Sequence, residues 1–140
     1  MSDDLISLYQ YAEENGIDVT WFDMEAAQSL SVVLPDGSCA IAIDPWKMDT
    51  VAKETVSLAH ELGHCITGSF YNRYAACDVR AQHETRADKW AIKKLIPEDK
   101  LNMAVSSGYK ELWELAEYFN VTEDLMRKAV HWYQYGNLAL

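Results

Sequence analysis

One pentapeptide, His60-Glu61-Leu62-Gly63-His64, constrains this chain more than any other segment. On an α-helix, histidines four residues apart lie on one face, so both imidazoles can converge on one metal ion. Glu61 is offset by about 100° from His60, and it can reach a water on that ion without being a ligand. This is the HExxH arrangement, in which one helical turn supplies two zinc ligands and a general base.

The surroundings of the pentapeptide favour a metal site over two unrelated histidines on a surface helix. Apolar residues flank it, which predicts a largely buried helix: Val56, Leu58, Ala59, Leu62 and Ile66. Histidines on a buried helix need polar partners. Gly63 is also informative, because glycine inside a helix costs about 1 kcal/mol relative to alanine. A close approach of backbone, metal or substrate would explain this glycine.

A catalytic zinc usually takes three protein ligands and leaves one position for water. Glu84, on the next predicted helix, is the best candidate for the third ligand. Asp88 lies one turn further along the same face and would accept a hydrogen bond from a ligand histidine. The rivals are His83, which points about 100° away from Glu84 and is interpreted as solvent-facing, and Asp78 in the preceding loop. In the alternative interpretation, Glu84 is an acidic residue near the helix N-terminus that interacts with the helix dipole and binds no metal.

The first half of the chain predicts one helix and a small antiparallel sheet. Apolar residues at helical spacing predict a helix over residues 3–15, and β-type residues predict a strand over residues 17–22. Residues 29–34 and 38–43 are two further β-rich runs. A Pro-Asp-Gly turn at residues 35–37 joins them into a β-hairpin.

The second half of the chain predicts helices almost throughout. Two long helices, over residues 50–66 and 80–95, would carry the candidate site residues, with a loop between them. Shorter helices are predicted over residues 98–106, 109–119 and 122–135. The fold class is therefore α+β. We expect one domain over residues 1–140, with a catalytic core in 1–97 and a helical C-terminal extension in 98–140.

Charge and composition disfavour several classes of protein. The formal net charge is −10, whereas a nucleic-acid binder usually shows a basic surface. No stretch approaches the roughly 18 apolar residues of a membrane helix, and the N-terminus lacks the basic start of a secretory signal. The cysteines Cys39, Cys65 and Cys77 are odd in number and irregularly spaced. This pattern predicts reduced, buried thiols and a cytoplasmic location.

Three segments carry a resemblance to a known family. They are the pentapeptide at residues 60–64, Glu-Thr-Arg-Ala-Asp-Lys-Trp-Ala at 84–91 and Leu-Ile-Pro at 95–97. Together they resemble the ImmA/IrrE family of metallopeptidases, with Trp90 in place of the usual phenylalanine. The resemblance implies a zincin-like pair of active-site helices and Glu84 as the third zinc ligand. It also implies cleavage of a helix-turn-helix repressor from a mobile element or a stress response.

These observations predict a zinc-dependent endopeptidase. Glu61 would take a proton from the attacking water and pass it to the leaving amine. Tyr71, Tyr74 and Arg80 are candidates for an oxyanion stabiliser, a group that such a reaction requires on general grounds. The free edge of the hairpin over residues 29–43 would receive the substrate as an added strand.

Two other interpretations remain open. The first is a metal-binding regulator that docks on a repressor without cutting it, although an intact Glu61 favours catalysis. The second is a DNA reader, because residues 109–135 resemble a helix-turn-helix. That segment has few basic residues (Lys110, Arg127 and Lys128), and DNA affinity depends on phosphate neutralisation. We therefore favour a helical hairpin packed on the core, a protein partner, and no direct contact with nucleic acid or membrane. Iron, manganese or cobalt also accept such ligands.

Overall fold

The computed structural model describes residues 3–25, 27–70 and 76–138, apart from the side chains of Asp3, Cys77 and Asp78. In these residues the helices are α1 (Asp3–Glu14), α2 (Val51–Thr67), α3 (Cys77–Leu95), α4 (Glu98–Ser106), α5 (Leu112–Phe119) and α6 (Glu123–Tyr135). The strands are β1 (Asp18–Trp21), β2 (Ser29–Val33) and β3 (Cys39–Ile43). The predicted α+β class and its elements are confirmed, with ends displaced by a few residues.

The three described strands form a mixed sheet in the order β1-β3-β2. Strands β2 and β3 pair as an antiparallel hairpin, with Leu30 opposite Ala42. Strand β1 pairs in parallel with the other side of β3, with Val19 opposite Ile41. The antiparallel prediction therefore holds for the hairpin and not for β1. Within the described chain, β2 is left as an edge strand.

The core lies between this sheet and the first two helices. Ile41 and Ile43, two residues apart on β3, both face inward, with 2% and 0% of their surface exposed. Helix α1 contributes Leu8 at 1%, and α2 contributes Leu58 and Leu62 at 0%. Burial of each such side chain is worth about 1.5–3 kcal/mol. This packing holds α2 against the sheet in a defined position.

Helix α2 is capped at both ends. The Thr50 side chain accepts a hydrogen bond from the Lys53 amide at 3.1 Å, which satisfies one of the free N–H groups of the first turn. Gly68 adopts a left-handed conformation with φ of 67° and donates its amide to the His64 carbonyl. Gly68 is therefore the glycine at which α2 ends. The pentapeptide at residues 60–64 thus occupies the last turns of a helix whose end is fixed.

Gly63 is the point at which α2 and α3 touch. A Cβ on Gly63 would lie 2.5 Å from the Ala87 carbonyl oxygen and 2.9 Å from the Ala87 Cα. The predicted close approach at this glycine is confirmed, and the approaching group is backbone. Because the two helices meet here, side chains one turn away on α3 can reach the histidines of α2.

Of the C-terminal helices, α6 packs on α3, and α5 packs on α6. The core includes Leu115 and Phe119 of α5 and Met126 and Ala129 of α6. The Tyr133 hydroxyl donates to the Ile96 carbonyl at 2.7 Å, which connects α6 to the end of α3. This is the helical hairpin favoured by the sequence. Among the described residues, no helix is both long and apolar enough to cross a bilayer.

Cys39 and Cys65 form a disulfide. This corrects the prediction that all three cysteines are reduced, buried thiols. The two residues are 26 positions apart in sequence, and their pairing depends on the packing of β3 against α2. That packing brings the two Cα atoms to 5.8 Å, within the usual range for a disulfide. Cysteine count and spacing alone carry no signal for such a contact.

Candidate metal centre

His60, His64 and Glu84 converge on one point. The two Nε2 atoms of the histidines lie 3.2 Å apart. Glu84 Oε2 lies 2.7 Å from His60 Nε2, and Glu84 Oε1 lies 3.3 Å from His64 Nε2. The three groups meet the spatial requirement for holding a metal ion, since their ligand atoms all lie within 4.8 Å of one another.

These distances fit a tetrahedral ion. Ligand atoms about 2.0–2.1 Å from zinc are separated by about 3.3–3.4 Å in a tetrahedron. The 3.2 Å between the two imidazole nitrogens and the 3.3 Å between Glu84 Oε1 and His64 Nε2 lie close to that value. Glu84 Oε2 lies at hydrogen-bonding distance, 2.7 Å, from His60 Nε2. Two imidazole nitrogens and one carboxylate oxygen are donors that zinc accepts, and three protein donors leave one position open. The same donors also suit other divalent first-row metals.

Both histidines are oriented through their other ring nitrogen. His60 Nδ1 donates to Asp88 Oδ1 at 2.8 Å, and His64 Nδ1 donates to the Ser69 backbone carbonyl. A carbonyl and a carboxylate can only accept, so both Nδ1 atoms carry the proton and both Nε2 atoms are left for a metal. Asp88 thus lies where the helical spacing places it. The Ser69 carbonyl could not be recognised from residue type, because any residue supplies a carbonyl.

A lysine from α6 completes this arrangement and was not predicted. Lys128 Nζ lies 3.1 Å from Asp88 Oδ2 and 3.7 Å from Asp124 Oδ2. Burial alone would lower the pKa of Lys128, but the charges of Asp88 and Asp124 outweigh burial and raise it. The contact spans 40 residues of sequence. No local pattern in the sequence indicates a contact at that separation.

Glu61 is buried, with 7% of its surface exposed, and two serines of β2 hold its carboxylate. Ser29 Oγ donates to Glu61 Oε2 at 2.7 Å, and Ser31 Oγ donates to Glu61 Oε1 at 2.7 Å. Residues two apart on a strand share a face, so both hydroxyls face α2. The Ser-x-Ser pattern at residues 29–31 of the predicted hairpin is the signal in the sequence from which this contact could have been predicted.

The site opens into a cavity of about 260 Å³ between β2, the end of α2, and α3. Its described lining comprises Ser29, Leu30, Ser31, His60, Glu61, His64, Ser69, Phe70 and Glu84. A second cavity of about 390 Å³ adjoins it and shares Ser29, His60 and Glu84. The two cavities together provide space on both sides of the ligating groups.

Without a metal, both histidines have a pKa above the ordinary value. Burial lowers the pKa of His60, but hydrogen bonds to Asp88 and Glu84 outweigh burial and raise it to about 10. For His64, burial again lowers the pKa, while hydrogen bonds to Glu84 and the Ser69 carbonyl raise it overall. Burial raises the pKa of Asp88, but His60 and Lys128 bring it below its ordinary value. A metal ion at this site therefore has to displace protons.

The other candidates named from the sequence lie elsewhere. His83 is partly buried on α3 and does not line the cavity. Arg80 is exposed, one turn before the carboxylate ligand on the same helix, and does not line the cavity either. Tyr71, Tyr74 and the side chain of Asp78 lie outside the described residues.

The fold and the clustered side chains together define an α+β protein with a candidate metal site of the HExxH type. A comparison with protein-family models matches residues 12–131 to the IrrE N-terminal-like domain, peptidase family M78. The match covers most of the chain, so the chain belongs to this family, and the resemblance to ImmA/IrrE proteins is confirmed. Membership supports a metallopeptidase-like function. A search of curated proteins gave no match.

Proposed function

We propose that this protein is a zinc-dependent endopeptidase. The observation that carries the proposal is the presence in one cavity of three metal-ligating groups and a buried glutamate. A site built only to hold a structural zinc would usually be closed by four protein ligands. Here three protein ligands would leave one position for water, and Glu61 lines the same cavity. Membership of a peptidase family points to the same reaction class.

In this proposal His60, His64 and Glu84 hold the zinc. Asp88 and the Ser69 carbonyl keep both imidazoles in the ligating tautomer. Bound zinc would polarise the scissile carbonyl and make a neighbouring water more acidic. The donor types, their separations and their open fourth position support zinc over ions that prefer six oxygen ligands.

Glu61 acts as the proton carrier. Its carboxylate accepts a proton from water as the water oxygen attacks the carbonyl carbon. When the C–N bond breaks, Glu61 returns that proton to the departing nitrogen, so the protons balance over one turnover. Arg80, on α3, remains the candidate oxyanion stabiliser within the described chain, because a long side chain one turn from Glu84 needs little movement to reach the cavity.

The substrate would bind along the outer edge of β2. The Leu34 amide donates to the Ser38 carbonyl, and the Asp44 amide donates to the Gln28 carbonyl. Hydrogen-bonded pairs alternate along an antiparallel ladder, so the even-numbered residues of β2 pair with β3. The N–H and C=O groups of residues 29, 31 and 33 consequently point outward, where an extended peptide could pair with them.

A DNA-binding repressor is the proposed protein substrate. The net charge of −10 favours partners with basic surfaces, and DNA readers carry such surfaces. We further propose the cytoplasm as the place of action, because a repressor acts there. The Cys39–Cys65 disulfide is unusual for that compartment.

The test compares wild type with Glu61→Gln, His60→Ala and Glu84→Ala. We expect about one zinc per chain in wild type and in Glu61→Gln, and weakened binding in the two ligand variants. Incubated with helix-turn-helix repressors from the same genome, zinc-loaded wild type should cut at least one of them, as seen by mass spectrometry of the fragments. Glu61→Gln should not, because it lacks the base.

Cleavage by Glu61→Gln at the wild-type rate would refute the assigned role of Glu61. Zinc retained at full affinity in Glu84→Ala would move the third ligand elsewhere. A zinc-loaded wild type that binds the repressor and leaves it intact would favour a docking regulator over a peptidase.

A further inference from the structure

We propose that Ser29 and Ser31 are positioning residues that set the orientation of Glu61, and that they connect the substrate-binding edge of β2 to the proton-transfer step. This inference rests on the proposed function. Its starting observation is that each carboxylate oxygen of Glu61 accepts a separate hydroxyl, both at 2.7 Å. The two donors come from β2, although Glu61 itself belongs to α2.

Two hydroxyl donors fix the orientation of the Glu61 carboxylate, which a single donor would leave free to rotate. The last torsion of a glutamate side chain is broad and only roughly two-fold. With a single hydrogen bond the carboxylate could still turn about that bond. Hydroxyls on separate oxygens define the plane of the group. Each oxygen keeps a second lone pair, so the serines do not prevent Glu61 from accepting a proton from water.

The same two residues would meet the substrate. Their side chains face Glu61, while their backbone N–H and C=O groups point out of the sheet edge, because the even-numbered residues of β2 pair with β3. A peptide paired there would hold Ser29 and Ser31 still and would thereby hold the base still. Binding along the strand would in this way align the base with the bond to be cut.

A purely structural role of Ser29 and Ser31 would give different experimental results from a positioning role. If the serines only satisfied a buried carboxylate, their loss would lower the stability of the protein and would not affect catalysis selectively. If they supported the metal ligands, zinc affinity would fall. A positioning role instead lowers kcat, with KM and zinc affinity nearly unchanged.

The experiment uses the full-length, zinc-loaded protein as Ser29→Ala, Ser31→Ala and the double variant. Ser38→Ala is the matched control, because Ser38 lies in the hairpin turn and its hydroxyl donates to Asp36. Ser31→Thr is the conservative variant that retains a hydroxyl. Three quantities are measured: zinc affinity by chelator competition, kcat and KM on the repressor, and affinity for a peptide hydroxamate. A hydroxamate binds the metal and hands its proton to the general base, so it reports on Glu61 without turnover.

We expect each single variant to lose about tenfold in kcat, which corresponds to one hydrogen bond to a charged group. The double variant should lose more, and its hydroxamate affinity should fall toward that of Glu61→Gln. Zinc affinity and KM should stay within about twofold of wild type, and Ser31→Thr should recover most of the activity. Ser38→Ala should behave as wild type.

An unchanged kcat and hydroxamate affinity in the double variant would overturn the inference, as would a parallel loss of zinc affinity. Failure of the proposed function looks different. In that case zinc-loaded wild type cuts nothing, and the comparison of hydroxamate affinity between wild type, the double variant and Glu61→Gln still decides the role of the serines.

Discussion

The charged side chains at the site include both carboxylates and a lysine that lies against one of them. Three carboxylates, those of Glu61, Glu84 and Asp88, lie at or beside the ligating histidines. A divalent ion would leave one negative charge over. Lys128 offsets that charge through its contact with Asp88 and also lies 3.7 Å from Asp124 Oδ2. Buried charges are costly unless they are paired. The site therefore uses a residue far along the chain to neutralise groups that the metal alone does not.

We expect metal-free protein to lose stability between neutral pH and about pH 10. The pKa of His60 is raised from 6.5 to about 10 in the folded protein. A raised pKa stabilises the fold fully below the unfolded value of 6.5, and this contribution is lost as pH rises through about 10. Urea unfolding of chelator-treated protein at several pH values measures the effect. A His60→Asn variant serves as the control, and an equal loss in that variant would assign the effect to other groups.

Zinc binding should release protons, because the ligand histidines have a raised pKa in the metal-free protein. His60 and His64 both have a raised pKa without metal, and both must lose the Nε2 proton to ligate. Isothermal titration in two buffers with different ionisation enthalpies should show net proton release at neutral pH, and zinc affinity should rise with pH. Identical binding enthalpies in both buffers would contradict the protonated state assigned to these histidines.

At the scale of elements, the contact between α2 and α3 determines whether the ligands meet. Replacing Gly63 with alanine would place a Cβ 2.5 Å from the Ala87 carbonyl oxygen. Alanine gains about 1 kcal/mol in helix propensity, but overpacking typically costs about 1–3 kcal/mol. We expect Gly63→Ala to lower the free energy of unfolding and to weaken zinc binding, since a displaced α3 carries Glu84 away from the histidines.

The double variant Gly63→Ala with Ala87→Gly is the informative control for that prediction. The clash is with backbone atoms of residue 87, so removing its side chain should not restore zinc affinity. Recovery in the double variant would show that the side chain of Ala87 sets the helix spacing.

The elements were predictable because each has its own local signal. Helical periodicity, the Pro-Asp-Gly turn and the terminating Gly68 are visible in short windows of sequence. The parallel pairing of β1 with β3 has no such signal, because β1 reaches β3 only after the intervening strand has folded back. The site residues likewise divide into those with a local sequence signal and those that meet only in the folded chain. His60, Glu61 and His64 lie within one helical turn, whereas the serine contacts to Glu61 and the contact of Lys128 with Asp88 join distant segments.

At the scale of the whole molecule, the Cys39–Cys65 disulfide joins the sheet to the metal-binding helix. Closing a loop of 26 residues stabilises a folded chain by about 3 kcal/mol in the chain-entropy account. We expect Cys65→Ser, or reduction of the wild type, to lower the free energy of unfolding by about that amount. Urea denaturation with and without dithiothreitol measures it.

Cys77→Ser is the matched control for the disulfide, and it should keep the sensitivity to reductant. Cys65→Ser should lose that sensitivity. Three thiols titrating in unfolded, unreduced wild type would contradict the pairing and would restore the prediction of free cysteines.

The contact of Lys128 with Asp88 should restrict which substitutions homologous chains can accept at these two positions. A descendant that lost its last two helices would keep every metal-ligating group and yet leave Asp88 without its cation. Such a shortened lineage would need a new lysine or arginine beside Asp88, supplied by another segment or by a fused domain. In aligned relatives, residues 88 and 128 should therefore change together, and a chain with a neutral residue at 88 should be free to vary at 128.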